Sequence, residues 1–232
     1  MRHTGDHASV TTNFNDLTYT FSKKDAIKPY SIKVNLQEGE NMVKTSVTGN
    51  YSIKYKEKDK GFDARFFAGT FIGTTAADAG PYRFRLSGQR GYQDYLYDHV
   101  FLGRTETTGT LAKQYTETDG GFKFYSFLGQ SSQWLTAVNL KSSLGNMKLP
   151  VGLFADIGMT GPDGRTTEKV LYDAGGSVII IKDIFEIYFP VLICKGFQDY
   201  KTANDLKYSE TIRFMLNLNL MNPFDLIKKM EL

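Results

Sequence analysis

The sequence predicts an all-β fold: an antiparallel transmembrane β-barrel, of which this chain supplies the C-terminal portion. Three observations carry that expectation. Apolar and polar residues alternate along many segments, which is the period of a strand with one apolar and one polar face. Connections alternate between short and long, as in barrels with tight turns on one membrane side and larger loops on the other. The composition is aromatic and glycine-rich, with Tyr 14, Phe 17, Gly 22 and a single Trp. Mean hydropathy is nevertheless −0.33, the average that alternating strands produce.

In chain order, Leu17, Tyr19 and Phe21 form the first stripe and Tyr30, Ile32, Val34 and Leu36 the second. Residues 42–56 give the clearest strand. Val43, Thr45, Val47, Gly49, Tyr51, Ile53 and Tyr55 share one face, and Lys44, Ser46, Thr48, Asn50, Ser52, Lys54 and Lys56 share the other. That run exceeds the roughly 9–11 residues a tilted strand needs to cross a bilayer. Phe62, Ala64, Phe66, Ala68, Thr70 and Ile72 follow. After a long middle segment come Trp134, Thr136, Val138 and Leu140, then Leu149, Val151, Leu153, Ala155 and Ile157. The last three candidates are residues 170–181, 184–193 and 208–221. In the final one Ile212, Phe214, Leu216, Leu218 and Leu220 oppose Arg213, Asn217 and Asn219. The count is about nine strands.

Glu57-Lys58-Asp59-Lys60-Gly61, Gly145-Asn146-Met147 and Lys182-Asp183 read as tight turns, whereas 73–131, 159–169 and 195–207 read as long connections. Tyr55, Tyr172, Tyr188, Tyr208 and Phe224 fall near predicted strand ends, where an interfacial girdle would use them. A free sheet edge in hydrocarbon leaves backbone groups unpaired at several kcal/mol each. The chain is therefore expected to be one piece of a longer protein, whose missing N-terminal strands close the barrel.

Other classes find little support. A net charge of +3, with acidic and basic residues mixed, does not make a nucleic-acid surface. Cys194, the only cysteine, excludes an internal disulfide and a thiolate metal site, and suits a small apolar filler at a strand end. No window of about 18 apolar residues suggests a spanning helix. Met1-Arg2-His3-Thr4-Gly5-Asp6-His7 has no signal-peptide core. His3, His7 and His99 are too scattered for a zinc site, and neither a nucleophile elbow nor a phosphate loop is present. Gly161-Pro162-Asp163-Gly164 has turn composition, with its Asp too isolated for calcium. No catalytic residue, metal or cofactor is expected.

Two motifs remain. The segment at about 74–131 is too long to be idle, and it contains Arg90-Gly91-Tyr92, preceded by Gln89 and followed by the aromatic-acidic run Gln93-Asp94-Tyr95-Leu96-Tyr97-Asp98. Arg90 offers a planar charged fork, Gly91 a tight turn and Tyr92 an amphipathic ring. Within Phe154-Ala155-Asp156-Ile157-Gly158, the strand phase puts Asp156 on the polar face, opposite Leu153, Ala155 and Ile157. An inward carboxylate wants a cation, and Arg90 is the expected partner.

Together these motifs resemble the C-terminal barrel region of the Omp85 outer-membrane superfamily, the surface-antigen barrels. There an arginine-glycine-aromatic loop tip enters the lumen and pairs with the aspartate of a Phe/Gly-x-Asp-x-Gly strand. The order along the chain and the strand offsets match, though a hydrophobic residue usually stands where Gln89 does. The resemblance implies that Arg90, Gly91, Tyr92 and Asp156 lock the loop, with Phe154 and Gly158 completing the strand motif. Arg213 and Phe214, with Phe224 beyond them, resemble a C-terminal targeting strand read by barrel assembly machinery. The extension through Asn222-Pro223-Phe224 to Leu232 departs from the usual terminal aromatic. Barrels fused to M1-type metallopeptidases in Bacteroidota are similar in this respect. The resemblance implies a barrel of sixteen strands, of which about nine are in this chain, and the implied place is the bacterial outer membrane, with its lipid as a partner. The implied role is protein insertion or translocation, the alternative being a barrel anchor for a surface zinc peptidase encoded upstream.

Overall fold

The computed structural model describes residues 13–39, 42–57, 60–73, 82–144, 150–162 and 165–218. Nine strands run antiparallel to their neighbours in one sheet. They are β1 (Asn15–Lys23), β2 (Tyr30–Gly39), β3 (Met42–Lys54), β4 (Gly61–Ile72), β8 (Trp134–Ser143), β9 (Val151–Thr160), β10 (Leu171–Ile181), β11 (Phe185–Ile193) and β12 (Arg213–Leu216). The segment between β4 and β8 holds three two-residue strands, β5 (Phe84–Arg85), β6 (Gln114–Tyr115) and β7 (Gln130–Ser131). β6 adds to the sheet as its tenth strand, parallel to β12. The sheet is not closed, since β1 and β6 stand at its two ends.

Register explains why one face is apolar throughout. Tyr19 pairs with Val34, Val34 with Val47, and Val47 with Ala68. Phe66 pairs with Val138, Val138 with Ile157, and Ile157 with Tyr172. Val178 pairs with Ile187, and Ile187 with Phe214. Because side chains alternate with period two, each strand repeats its neighbour's choice of face, and a slip by one residue would expose the opposite set. Leu17, Tyr19, Phe66, Leu153, Ile157, Tyr172 and Val191 all lie exposed on this outer face.

The inner face is polar along β1 to β3 and is covered by the 82–133 segment over β4 and β8 to β12. Phe84, Leu86, Phe122, Phe124 and Leu128 of that segment are buried against Phe67, Phe71, Leu135 and Ala137 of the sheet. Phe84 meets Phe67 and Phe71 edge-on at 5.8 and 4.9 Å. Burying each such ring stabilises the arrangement by about 1.5–3 kcal/mol, so the segment is fastened down along much of its length. Its two ends are brought together by pairing of β5 with β7.

The strands before β11 agree closely with the expected spans. The C-terminal part differs. Residues 195–207, expected as a bare connection, contain helix α1 (Lys195–Ala203), which drives Phe197 between Phe122 and Phe124. The strand expected from residue 208 begins only at Arg213, after the single turn α2 (Tyr208–Thr211). There the Glu210 carboxylate accepts the Lys207 amide at 2.8 Å and caps the turn. Cys194 is buried at the end of β11.

Tyr188, expected at an interfacial girdle, is instead buried on the inner face and donates its hydroxyl to Glu186 at 2.6 Å. Strand phase explains this, because Ile187 and Val191 occupy the outer face. Tyr172 and Tyr208 are exposed. Phe224 and the Gly145-Asn146-Met147 turn lie outside the described residues.

Candidate functional site

The most tightly built polar cluster lies where the covering segment crosses β8, β9 and β10. Asp156 is on the inner face of β9, as the alternation requires, and its side chain is fully buried. Its partner is not Arg90. The Lys123 ammonium lies 2.9 Å from Asp156 Oδ1, with its own side chain also at 0% exposure. The Lys123 backbone N–H donates to Oδ2 at 3.1 Å. Asn139 of β8 donates to Oδ1 at 2.9 Å and to the Gly120 carbonyl at 2.8 Å. With these donors in place the carboxylate has no free edge for a guanidinium fork.

Lys123 is enclosed by polar and aromatic groups. Its ammonium also reaches the Gly121 carbonyl at 3.2 Å and stands 5.2–5.7 Å from the ring centres of Tyr115, Phe154 and Tyr188. Aromatic faces stabilise a desolvated cation, and a buried ion pair is tolerated only when its remaining polar valences are met. The network extends across the wall, since Arg65 of β4 donates to Asn139 Oδ1 at 2.8 Å. A second carboxylate, Asp173 on β10, stands directly across the ladder from Asp156. Its Oδ2 accepts the Phe124 amide at 2.7 Å, while Oδ1 is buried without a hydrogen-bond partner. Thus consecutive amides of the covering segment are held by consecutive strand aspartates.

The expected strand motif contributes packing around this pair. Phe154 is buried and meets Tyr188 edge-on at 5.5 Å. At Gly158 a Cβ would come within 2.5 Å of Leu86 and 3.1 Å of Phe122. Glycine leaves room there for the covering segment to approach the β9 backbone.

Arg90 sits elsewhere in the segment. Its guanidinium stacks on Tyr125, 3.6 Å from the ring centre, and donates to the Thr107 carbonyl at 3.3 Å. The inferred Arg90–Asp156 pairing is thus replaced by Lys123–Asp156, and Arg90 fastens the segment to itself. Gly91 is buried where a Cβ would meet the Arg104 carbonyl at 2.4 Å. Tyr92 is exposed. Arg104 crosses this turn, pairing with Asp94 at 2.7 Å and donating to the Gly91 and His99 carbonyls. Burial opposes ionisation of Asp94, but hydrogen bonds from Arg104 and the His99 amide outweigh it and hold the carboxyl below its usual range.

Arg213, expected as part of a targeting strand, points inward and is buried. It donates to the carbonyls of Gln114 at 3.0 Å and Ser87 at 3.3 Å, tying β12 to two separate parts of the covering segment. Phe214 lies on the outer face, half-buried.

Lys123 and Asp173 lie outside both sequence motifs. Asp173 carries a usable signal, because Tyr172-Asp173-Ala174-Gly175 repeats the Asp-x-Gly spacing of Ala155-Asp156-Ile157-Gly158. Lys123 carries a weaker one, a lysine between two phenylalanines in a segment otherwise read as loop. Among the described residues no group of His, Cys, Asp and Glu is placed to hold a metal, and no helix is long and apolar enough to cross a membrane. No protein-family model, curated protein or solved structure matches this chain in the comparisons made.

Proposed function

We propose that this chain is the C-terminal, membrane-embedded part of an Omp85-like outer-membrane β-barrel that takes part in protein insertion or translocation. The 82–133 segment acts as a plug in the lumen. The observation that carries the reading is the division of the sheet into two faces. The outer side is apolar from β1 to β12, whereas the inner side holds Lys33, Ser46, Asn50, Arg65 and Asp156. A soluble sheet of this size would cover such an apolar face with a second layer. A barrel wall leaves it to lipid. The ends of the sheet, β1 on one side and β12 with only the two-residue β6 beside it on the other, call for further strands, since an unpaired edge is not tolerated in hydrocarbon. The Lys123–Asp156 pair supports the lumenal plug, because it fixes the segment to the wall from inside.

A cysteine scan in native membranes tests the barrel. Replacements at Tyr19, Val47, Phe66, Val138 and Ile157 should react with a lipid-phase probe and resist a water-soluble one. Ser46 and Asn50 should behave in the opposite way. Labelling without a period of two refutes the proposal.

A second reading, a barrel that anchors a surface M1-type peptidase, is favoured by one observation: the phenylalanine-rich plug is packed densely over β4 and β8 to β12. Depletion of the protein separates the two. Loss of other outer-membrane proteins supports insertion or translocation, and loss of surface peptidase activity alone supports the anchor.

A further inference from the structure

Two cavities lie between the plug and the wall. The larger, about 560 Å³, is bounded by β1 to β4 and by the plug turn around Asp94, Asp98 and Asp119. The smaller, about 170 Å³, lies toward the tight-turn end, beside Asp63, Lys141 and Asp183. Both are lined by Asn50, Arg65 and Glu117. The two cavities therefore adjoin at these three residues, a shared ring with the wall side chains Asn50 and Arg65 on one side and the plug carboxylate Glu117 on the other.

The charges are arranged by side. Lys33, Lys44 and Arg65 project from adjacent wall strands, and Asp94, Asp98, Glu117 and Asp119 belong to the plug. Asp16 of β1 is the wall's acidic exception in the larger cavity. Most acidic groups already have partners. Asp94 holds Arg104, and Asp119 accepts the Arg85 amide at 3.1 Å. Glu117 differs. It is reached by solvent yet ringed by protein, and desolvation of its carboxyl is outweighed by the field of Lys141, Arg65 and Lys123, which holds it below its usual range. Lys141 is in turn balanced by Glu186 at 3.7 Å and Asp183 at 3.8 Å, and Asp63 by Lys182 at 3.4 Å. Among the described residues at the shared ring, Glu117 is the anion and Arg65 the cation.

We infer that the two cavities form one polar passage along the β1–β4 wall for small hydrophilic ions, with the Glu117–Arg65 ring as its charge-setting constriction. This inference rests on the membrane-barrel reading. The passage suits ions and small polar solutes, because its lining offers polar groups and paired charges rather than an apolar pocket. Within the ring the Arg65 guanidinium is fixed by Asn139, itself bonded to Asp156. Glu117 is then the group whose charge can be altered without cutting the wall-to-plug network.

The test is single-channel recording of the full-length protein in planar bilayers under a potassium chloride gradient, with Glu117→Gln, Glu117→Lys and Glu117→Cys. Glu117→Lys should move the cation-to-anion permeability ratio toward anions by about threefold or more, as a charge in a confined polar channel alters local ion concentration. Glu117→Gln should fall between. Glu117→Cys should react with a cationic thiol reagent applied from either side and then match Glu117→Lys, while buried Cys194 stays unreacted. If the channel forms but neither the exchanges nor the modification changes the ratio, the passage lies elsewhere and the inference is overturned. The same holds if outward cysteines label from lipid, so that the protein is embedded, yet no conductance appears. Failure of outward positions to label from lipid would instead remove the membrane reading, and the passage with it.

Discussion

Lys123→Met should be the most damaging single change in the plug. It removes an ammonium that is fully buried and leaves Asp156 facing Asp173 across the ladder with no cation between them. Breaking a buried pair from one side costs about 3–5 kcal/mol, or about 10²–10³-fold or more in the equilibrium for plug release. Asp156→Asn should cost less, about 1–3 kcal/mol, for two reasons. Asn139 and the Gly121 carbonyl keep polar atoms around the site, and the Asp173 carboxylate lies on the neighbouring strand to balance the lysine. The double variant should lose less than the two single losses combined, with a coupling of about 1–3 kcal/mol. Hydrogen exchange of the full-length protein reads this directly, because the amides of Lys123 and Phe124 are bonded to Asp156 and Asp173. Both should exchange faster in Lys123→Met, together with neighbouring amides that open cooperatively. Strict additivity, or equal acceleration by Arg90→Ala, would refute the assignment. Arg90→Ala removes a stacked cation worth about 0.5–2 kcal/mol and should loosen the turn near Tyr125 only.

Gly158→Ala should lower the thermal midpoint of the folded protein, because the added methyl meets Leu86 at 2.5 Å and overpacking of this kind costs about 1–3 kcal/mol. On the membrane-barrel proposal, Val138→Arg, on the outer face of a central strand, should cost about 2–4 kcal/mol in a lipid-vesicle folding titration, and Ser46→Arg on the inner face much less. The Asp94–Arg104 tie should depend on acidity with a definite sign. The Asp94 carboxyl is held below its unfolded value, so its stabilisation is full above about pH 4 and is lost as pH falls through the lower folded value. Limited proteolysis of the 91–104 turn should therefore increase on acidification, and Arg104→Gln should weaken that dependence, leaving the part due to the His99 amide.

The strands were legible in the sequence for the reason that makes a sheet cooperative. In β3, Val43 to Ile53 alternate without a break, and each neighbouring strand must copy that phase to place its own apolar residues on the same face. Where the alternation was followed residue by residue it also placed Asp156 and Arg213 on the inner side. Where strand-end position was used instead it failed, as for Tyr188. The start of β12 was misplaced because Tyr208, Ile212, Phe214 and Leu216 look alike as apolar residues. The Glu210 cap that turns 208–211 into a helical turn is a local hydrogen bond and not a periodic signal.

The partner of Asp156 was not legible, and the reason is physical. Alternation determines which way a strand residue points, but the residues that a 50-residue-scale irregular segment brings against it depend on its backbone path, which has no period to read. Arg90 and Lys123 are both cations in that segment, and charge alone cannot choose between them. The choice is made by packing. Gly158 opens space on β9 for Leu86 and Phe122, Phe197 of α1 closes on Phe122 and Phe124 from the other side, and the residue between those two phenylalanines is delivered to Asp156. Once there, its backbone amide and its side chain bind the same carboxylate, an arrangement unavailable to a residue elsewhere in the segment. The glycine of the strand motif is thus part of how its aspartate finds a cation.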